Sequence, residues 1–449
     1  MRFKNARFHF IGVGGIGMCG LAQLLHNMGA VVSGSDLASN QQTQALSDLG
    51  VKIFKGHSKE NISGVEVVVY SSAVKSENVE MQEAHRQRVP IISRAEALAE
   101  IMRLKRGVAI GGTHGKTTTT SITASIFLEA KSDPTIVVGG RLQQIQSTAM
   151  LGKGEWLLAE ADESDGSFNK LSPEVVVITN IDNDHLDHFG SFKNLQQGFL
   201  GFAGLIPFYG KAIVFGDDPE TKKLFKDFRK PILFYGFGED NDFVLHGDPG
   251  NYEILKSKKV LGAIQPQFPG RHNALNSLAA LAVGLEAGFS FDVCKRGIEK
   301  FTGVDRRFQF KGKKRDITVY DDYGHHPTEI KAVTQAFKEK FPHKRLVVYF
   351  QPHRFSRTET CWEQFTESFS LADHVWITNI YPAGEKPIAG ITAERLALAI
   401  KNRNCQFLSS ENIDVTVSEI AKFLKPNDIF VTLGAGDGWK VGVKLFETL

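Results

Sequence analysis

Three apolar runs in this chain each end in a cluster of glycines. Phe8–Gly12 leads into Gly12-Val-Gly-Gly-Ile-Gly17, Gly107–Gly111 into Gly111-Gly-Thr-His-Gly-Lys-Thr117, and Ile429–Leu433 into Gly434-Ala-Gly-Asp-Gly438. A strand followed by such a turn is how a parallel α/β sheet opens a helix, and ligands bind beyond the carboxyl ends of those strands. Three such junctions in 449 residues point to three α/β domains. Between them, β-branched and aromatic runs alternate with helical patterns, as βαβ units require. The remaining predicted strands include Val65–Ser71, Trp156–Glu160, Val175–Thr179, Ala212–Phe215, Leu346–Phe350 and Val375–Thr378. The basic segment Arg103–Arg106 and the glycine-bearing segment Phe301–Arg307 mark the boundaries, giving domains at 1–103, 104–304 and 305–449.

Charge excludes some partners. With 53 Lys+Arg against 50 Asp+Glu, a net +3 does not attract nucleic acid or a membrane surface. Four scattered cysteines (Cys19, Cys294, Cys361, Cys405) form no disulfide framework or C-x-x-C pair. No run of 18 apolar residues is present and no secretory signal opens the chain, so the expected location is the cytoplasm, without membrane insertion.

Gly12-x-Gly14-x-x-Gly17 opens a helix predicted over Met18–Met28, and Asp36 follows the next strand, Ala30–Ser35. That spacing lets backbone N–H groups approach a diphosphate while the acid holds a ribose hydroxyl. A redox dinucleotide, a UDP-sugar or a tight turn without ligand all satisfy it. The second turn falls one residue short of the Walker A pattern but keeps its physics: N–H groups, Lys116 for the β- and γ-phosphates, and Thr117 for Mg²⁺. It reads as an ATP site. The helix after it places Ile122, Ile126 and Ala130 on one expected buried face.

Acids follow. Glu160, Asp162, Glu163 and Asp165 exceed the one or two carboxylates that Mg²⁺ takes, so some must cap or be solvated. A second cluster, Asp182-Asn-Asp-His185-Leu-Asp-His188, suits a further Mg²⁺ position better than zinc, since no cysteine accompanies it.

Taken in order, Gly-Thr-His-Gly-Lys116-Thr-Thr-Thr, Glu160-Ala-Asp-Glu-Ser-Asp165, Asn180-Ile-Asp-Asn-Asp-His185, Gly270-Arg-His-Asn273-Ala-Leu-Asn276 and Asp305-Arg-Arg307-Phe resemble the Mur ligases from about Phe8 to Lys440. Asp321-Asp-Tyr-Gly-His-His-Pro327 and Gln351-Pro-His-Arg-Phe-Ser-Arg-Thr358 resemble the branch of that family that adds L-alanine, rather than the branch that attaches a whole tripeptide. The resemblance implies an N-terminal Rossmann-like domain for a UDP-sugar, a central P-loop ATPase domain and a C-terminal Rossmann-like domain for the amino acid. The implied substrates are UDP-N-acetylmuramate, L-alanine and ATP with Mg²⁺ (Mn²⁺ as a substitute), in a monomer or weak homodimer.

It also implies residue roles. Lys116, His185 and Arg354 would be catalytic, with Thr117, Glu160 and His185 holding the metal. ATP would meet Gly112, Thr113, His114, Gly115, Lys116, Thr117, Thr118, His272, Asn273, Asn276, Arg307 and Asp322. Gly14, Gly15, Gly17, Asp36 and Ser71 would face the UDP-sugar, and Tyr323, His325, His353, Arg354 and Arg357 the amino acid. Arg354 and Arg357 also suit a carboxylate on their own, because two guanidinium forks three residues apart at a helix start can face one ligand. One departure stands out: where the family carries a Gly-x-Asn-Ala stretch, this chain has Leu142-Gln-Gln-Ile-Gln-Ser-Thr-Ala-Met-Leu151. A nicotinamide oxidoreductase would use Gly12–Gly17 and Asp36 but leaves Lys116 and Glu160 without a task, and a non-catalytic nucleotide sensor leaves the amino-acid residues without one.

Overall fold

The computed structural model describes residues 3–71, 73–184, 186–402, 404–409 and 411–449. Every strand predicted above is found, with ends shifted by a residue or two. They build three sheets. The first has five parallel strands in the order Lys52–Lys55, Val31–Asp36, Arg7–Ile11, Val67–Tyr70, Ile91–Ser93. The order reverses between Arg7–Ile11 and Val67–Tyr70, and that switch point places the first glycine turn in a crevice.

The second sheet has ten strands. Its core is parallel, with Arg106–Gly111 between Val175–Ile178 and Trp156–Glu160. A parallel sheet covered on both faces reads as continuous apolar runs, which is why Val175-Val-Val-Ile178 is fully buried. Antiparallel segments finish both edges, Phe243–Asp248 with Asn251–Lys256 and Lys259–Ile264 at one, Thr135–Leu142 with Ser147–Met150 at the other. The third sheet runs Gln309–Lys314, Ile317–Asp322, Ile429–Leu433, Leu346–Phe350, His374–Ile377, Cys405–Phe407, antiparallel only at its first pair. The chain divides into two compact units. One comprises 1–267 and 275–302 and holds the first two sheets; the other comprises 268–274 and 303–449 and holds the third.

The helix after the phosphate turn, Lys116–Glu129, corrects one expectation. It is buried almost all round rather than along one face. The helix Phe291–Glu299 lies so close that a Cβ on Gly297 would stand 2.5 Å from Ile126 Cα. Its threonines tolerate this because Thr120 and Thr123 donate their hydroxyls to the carbonyls of Lys116 and Thr119, at 2.9 and 2.8 Å. None of the four cysteines is joined in a disulfide. Among the described residues, no helix is long and apolar enough to cross a membrane.

Candidate active site

The phosphate turn is shaped by two glycines in left-handed backbone, Gly112 at φ +131° and Gly115 at φ +82°. Neither has room for a side chain: a Cβ would collide with Thr179 at the first and stand 2.6 Å from Asn276 Oδ1 at the second. The segment after strand Val175–Ile178 pins the turn from beneath. Thr113 N donates to Asn180 O (3.1 Å) and His114 N to Asn180 Oδ1 (2.8 Å). Asp182 N donates to Thr113 Oγ1 (2.9 Å), and Asp182 Oδ2 lies 2.9 Å from His114 Nε2. Asp182 therefore helps hold the loop. Thr118 lies within the helix, half-buried, while Thr119 Oγ1 donates to Asn276 Oδ1 at 3.1 Å.

The four acids after the Trp156–Glu160 strand divide their tasks. Glu160 accepts Thr117 Oγ1 (2.9 and 3.1 Å) and Gly139 N (2.9 Å). Asp162 pairs with Arg94 Nη2 at 3.2 Å. Glu163 accepts Lys116 Nζ at 2.8 Å, and Asp165 accepts Ser167 N at 3.0 Å, a local turn bond two residues on. Lys116 also donates to the carbonyls of Gly112 (2.7 Å) and Thr113 (3.1 Å), so all three of its N–H groups are engaged. Burial opposes its charge, but Glu163, Glu160 and Asp162 together hold its pKa above the ordinary value. One ammonium cannot serve three acids equally: burial pushes the Glu163 carboxyl up to about 7 against the pull of Lys116. At Asp162 burial is outweighed by Arg94 and Lys116, which keep it below the usual range.

Thr117 Oγ1 and the Glu160 carboxylate offer hard oxygen ligands within 3.1 Å of each other at the mouth of the turn, a donor set suited to Mg²⁺. His185, expected as catalytic and as a metal ligand, lies outside the described residues.

At the first turn, Gly12 takes φ +79°, and Gly12 N and Val13 N donate to Ser35 O at 2.9 and 3.1 Å. Gly15 is the N-cap of helix Ile16–Asn27, which has no side-chain cap and no acid in its first turn. Asp36 ends its strand as expected in the crevice, where it accepts Gly14 N (2.8 Å) and Ala38 N (3.1 Å). Ser71 N donates to Ile11 O at 3.2 Å, and its Cβ would stand 3.3 Å from one built on Gly12. Gly17 faces Arg94, with Nη1 only 3.0 Å from where its Cβ would be.

The second compact unit gathers the residues expected for the amino acid. The His353 ring stacks on Tyr381 at 5.6 Å and meets His325 edge-on at 5.7 Å. His353 Nδ1 lies 3.3 Å from Arg357 Nη1, and Tyr323 packs against His325 at 5.3 Å with Arg306 and Arg307 over its ring. Arg354 is the N-cap of helix Phe355–Thr360, held at φ +70°, with a buried Nε that meets no partner. Burial pushes His325 down to about 3 and His353 to about 4. These imidazoles are neutral at pH 7.

Of the expected nucleotide residues, His272, Asn273, Arg307 and Asp322 lie in this unit and Asn276 in the other. Burial pushes His272 down to about 4, and Asn273 Nδ2 donates to Pro269 O at 2.7 Å. Asp322 accepts Phe308 N and Gly324 N, both at 2.7 Å, and burial pushes it up to about 6. Sequence reasoning missed Tyr381, Arg94 and the ties of Asn180. The signal for Tyr381 was an aromatic just past the carboxyl end of a strand; Asn180 was visible in its motif but without a task.

Two strand-to-glycine turns that each open a helix, the second followed by Lys116, Thr117 and an acidic loop, are the frame of an ATP-dependent ligase. It belongs to the Mur ligase family. Three family profiles match in series: the Mur ligase family catalytic domain at 7–106, the Mur ligase middle domain at 110–284, and the Mur ligase glutamate ligase domain at 306–436. The chain is 58% identical over 455 residues to the UDP-N-acetylmuramate–L-alanine ligase of Bdellovibrio bacteriovorus, with 100% of both chains covered. Among solved structures it resembles the UDP-N-acetylmuramate–alanine ligase of Thermotoga maritima, with TM-score 0.82, 28% identity and 98% of both chains covered. It shares a fold with the murein peptide ligase of Psychrobacter arcticus, at TM-score 0.74, 23% identity and 98% coverage of both.

Proposed function

We propose that this protein joins L-alanine to the lactyl carboxylate of UDP-N-acetylmuramate at the expense of ATP, releasing ADP and phosphate, in peptidoglycan biosynthesis. We place it in the cytoplasm as a monomer or weak homodimer with domains at 1–103, 104–304 and 305–449. The observation that carries the reading is end-to-end identity of 58% with an enzyme of that name. The phosphate turn and the guanidinium–imidazole cluster supply chemistry to match.

A carboxylate is a poor electrophile, so the sugar carboxylate first takes the γ-phosphoryl group of ATP, giving an acyl phosphate and ADP. The alanine amine, having lost its ammonium proton, adds to the acyl carbon, and phosphate leaves the tetrahedral species. Lys116 exchanges Glu163 and the two loop carbonyls for phosphate oxygens and stabilises the charge in transfer. Thr117 and Glu160, with His185 as a further ligand, would hold a divalent cation, which would supply charge neutralisation at the phosphates. Arg354 and Arg357 orient the alanine carboxylate through their forked donors, with His353, His325 and Tyr323 as walls.

The acyl phosphate is testable by label. UDP-N-acetylmuramate carrying ¹⁸O in its carboxylate is expected to pass one ¹⁸O to the released phosphate. Phosphate free of label would rule out this route.

A further inference from the structure

Turning an alanine ammonium into an amide N–H removes two protons from the nitrogen. The first leaves before attack and frees the lone pair. The second leaves as the N–C bond forms, when the nitrogen turns cationic and its N–H acidic. A weak base suffices there, provided that it is unprotonated at the working pH and within hydrogen-bond reach of the nitrogen.

The second compact unit holds two imidazoles whose partners assign them opposite tautomers. At His325, Nδ1 lies 3.0 Å from the backbone oxygen of Tyr323 and 3.3 Å from Glu329 Oε2. A carbonyl oxygen only accepts, so Nδ1 carries the hydrogen, and in a neutral ring Nε2 is then a bare lone pair. At His353, Nδ1 lies 3.3 Å from Arg357 Nη1. A guanidinium only donates, so here Nδ1 accepts and Nε2 carries the hydrogen. Both rings are neutral at pH 7, since burial pushes them down to about 3 and about 4. Their edge-on packing, with centroids 5.7 Å apart, sets a proton acceptor beside a proton donor in the cluster that holds Arg354 and Arg357.

Glu329 is placed to support a transient charge on His325. It lies in the first turn of helix Pro327–Lys340, and its Oε2 accepts the backbone N–H groups of His325 (2.9 Å) and His326 (3.2 Å). Those two bonds fix the carboxylate against the ring. A carboxylate that orients an imidazole through Nδ1 and stabilises the imidazolium, while Nε2 moves the proton, is the division of roles in a Ser-His-Asp triad. The other charged or titratable groups that act on the ring, Arg357 and His353, oppose its protonation, so the imidazolium is short-lived.

We propose that His325 is the catalytic base of the amide-forming step: its Nε2 takes the second proton from the alanine nitrogen as the N–C bond forms, and Glu329 is its positioning residue. The nitrogen lone pair makes the bond to the acyl carbon, and the carbonyl π pair moves to oxygen. The proton passes to Nε2 and leaves its N–H electron pair on nitrogen. The carbonyl then re-forms, the C–O bond to phosphate breaks with its electrons on phosphate, and the imidazolium returns its proton to water. This inference rests on the L-alanine reading proposed above.

Two half-reactions separate a base from a wall of the site. Acyl phosphate formation without amino acid is read as exchange of label between ADP and ATP that requires UDP-N-acetylmuramate. Amide formation is read as kcat and KM for L-alanine. For His325→Gln, exchange is expected within about twofold of wild type and KM for L-alanine within about threefold, while kcat falls about 10²–10⁴-fold, the range for a lost general base. Glu329→Gln is expected to show the same split with kcat down about tenfold to a hundredfold, the scale of a hydrogen bond to a charged group. A raised KM with unchanged kcat in His325→Gln would leave the ring a wall and overturn the inference. So would kcat within a fewfold of wild type, or equal loss of exchange and kcat, as general damage to the unit would give. Wild type that shows neither exchange with UDP-N-acetylmuramate nor ligation of L-alanine overturns the substrate reading itself; wild type that does both leaves that reading standing whatever the variants show.

Discussion

Arg354 holds a positive φ of +70° with ψ 141°, outside the left-handed helical well, a conformation that costs a non-glycine residue about 1–3 kcal/mol. The surrounding structure keeps it there, with Arg354 N donating to Tyr381 O at 2.9 Å. Strain of this kind concentrates at ligand sites, and the buried Nε without a partner points the same way. Arg354→Ala is expected to raise KM for L-alanine about tenfold to a hundredfold, the scale of a lost hydrogen bond to a charged group, with KM for ATP unchanged. A shift in KM for ATP alone would assign the residue to the nucleotide. Lys116→Ala is expected to lower kcat about 10²–10³-fold, as for loss of one preorganised charge stabiliser; activity within a fewfold of wild type would remove Lys116 from the chemistry. Both residues were legible in the sequence because their motifs are local. The division of labour among Glu160, Asp162, Glu163 and Asp165 was not, since it depends on partners such as Arg94 that lie far away in the chain.

Among the elements, strands were easier to read than the hairpin formed by Thr135–Leu142 and Ser147–Met150. A run such as Leu346–Phe350 announces itself by composition, whereas polar Gln143-Gln-Ile-Gln146 carries no such signal. Its role comes from packing. Ser147 Oγ lies 3.1 Å from Gln23 Oε1, and Gln144 Nε2 donates to Ser125 Oγ at 2.9 Å. A Cβ on Gly20 would stand 3.0 Å from Thr148 Oγ1, so helix Ile16–Asn27 accepts the hairpin only because it has no side chain there. Gly20→Leu is expected to destabilise the protein by about 1–3 kcal/mol, the range for overpacking, and thermal unfolding would register it; an unchanged melting temperature would show that the hairpin moves aside freely. The departure from the family's Gly-x-Asn-Ala stretch falls in the same hairpin. Gln146 takes φ +52°, a conformation a glycine adopts without strain. Gln146→Gly is expected to raise the melting temperature, since about 1 kcal/mol of relieved strain exceeds the added freedom of the unfolded chain. A fall would mean that the glutamine side chain stabilises the hairpin by more than the strain costs.

At the scale of the molecule, the sequence suggested three α/β domains; three sheets are present, distributed over two compact units. What composition could not convey is that Phe268–Ala274 packs with the later unit, because a seven-residue excursion leaves no periodic trace. The buried histidines give the second unit its own response to acid. His272, His325 and His353 are pushed from the ordinary 6.5 to about 4, 3 and 4. The unfolded chain therefore takes up protons first as pH falls, so their contribution to stability is intact above 6.5 and lost on the way to 4, at up to about 1.4 kcal/mol per pH unit for each group. Calorimetry between pH 7 and 5 is expected to show the transition of this unit moving down in temperature; a transition independent of pH over that window would contradict the burial of these rings. The central claim, that the chain adds L-alanine to UDP-N-acetylmuramate, meets its most direct test in phosphate release from ATP·Mg²⁺ with that sugar nucleotide, comparing L-alanine, glycine, L-serine and the L-Ala-γ-D-Glu-meso-diaminopimelate tripeptide. Release that requires the sugar nucleotide and is fastest with L-alanine is the predicted result; release fastest with the tripeptide, or none with any acceptor, would contradict it.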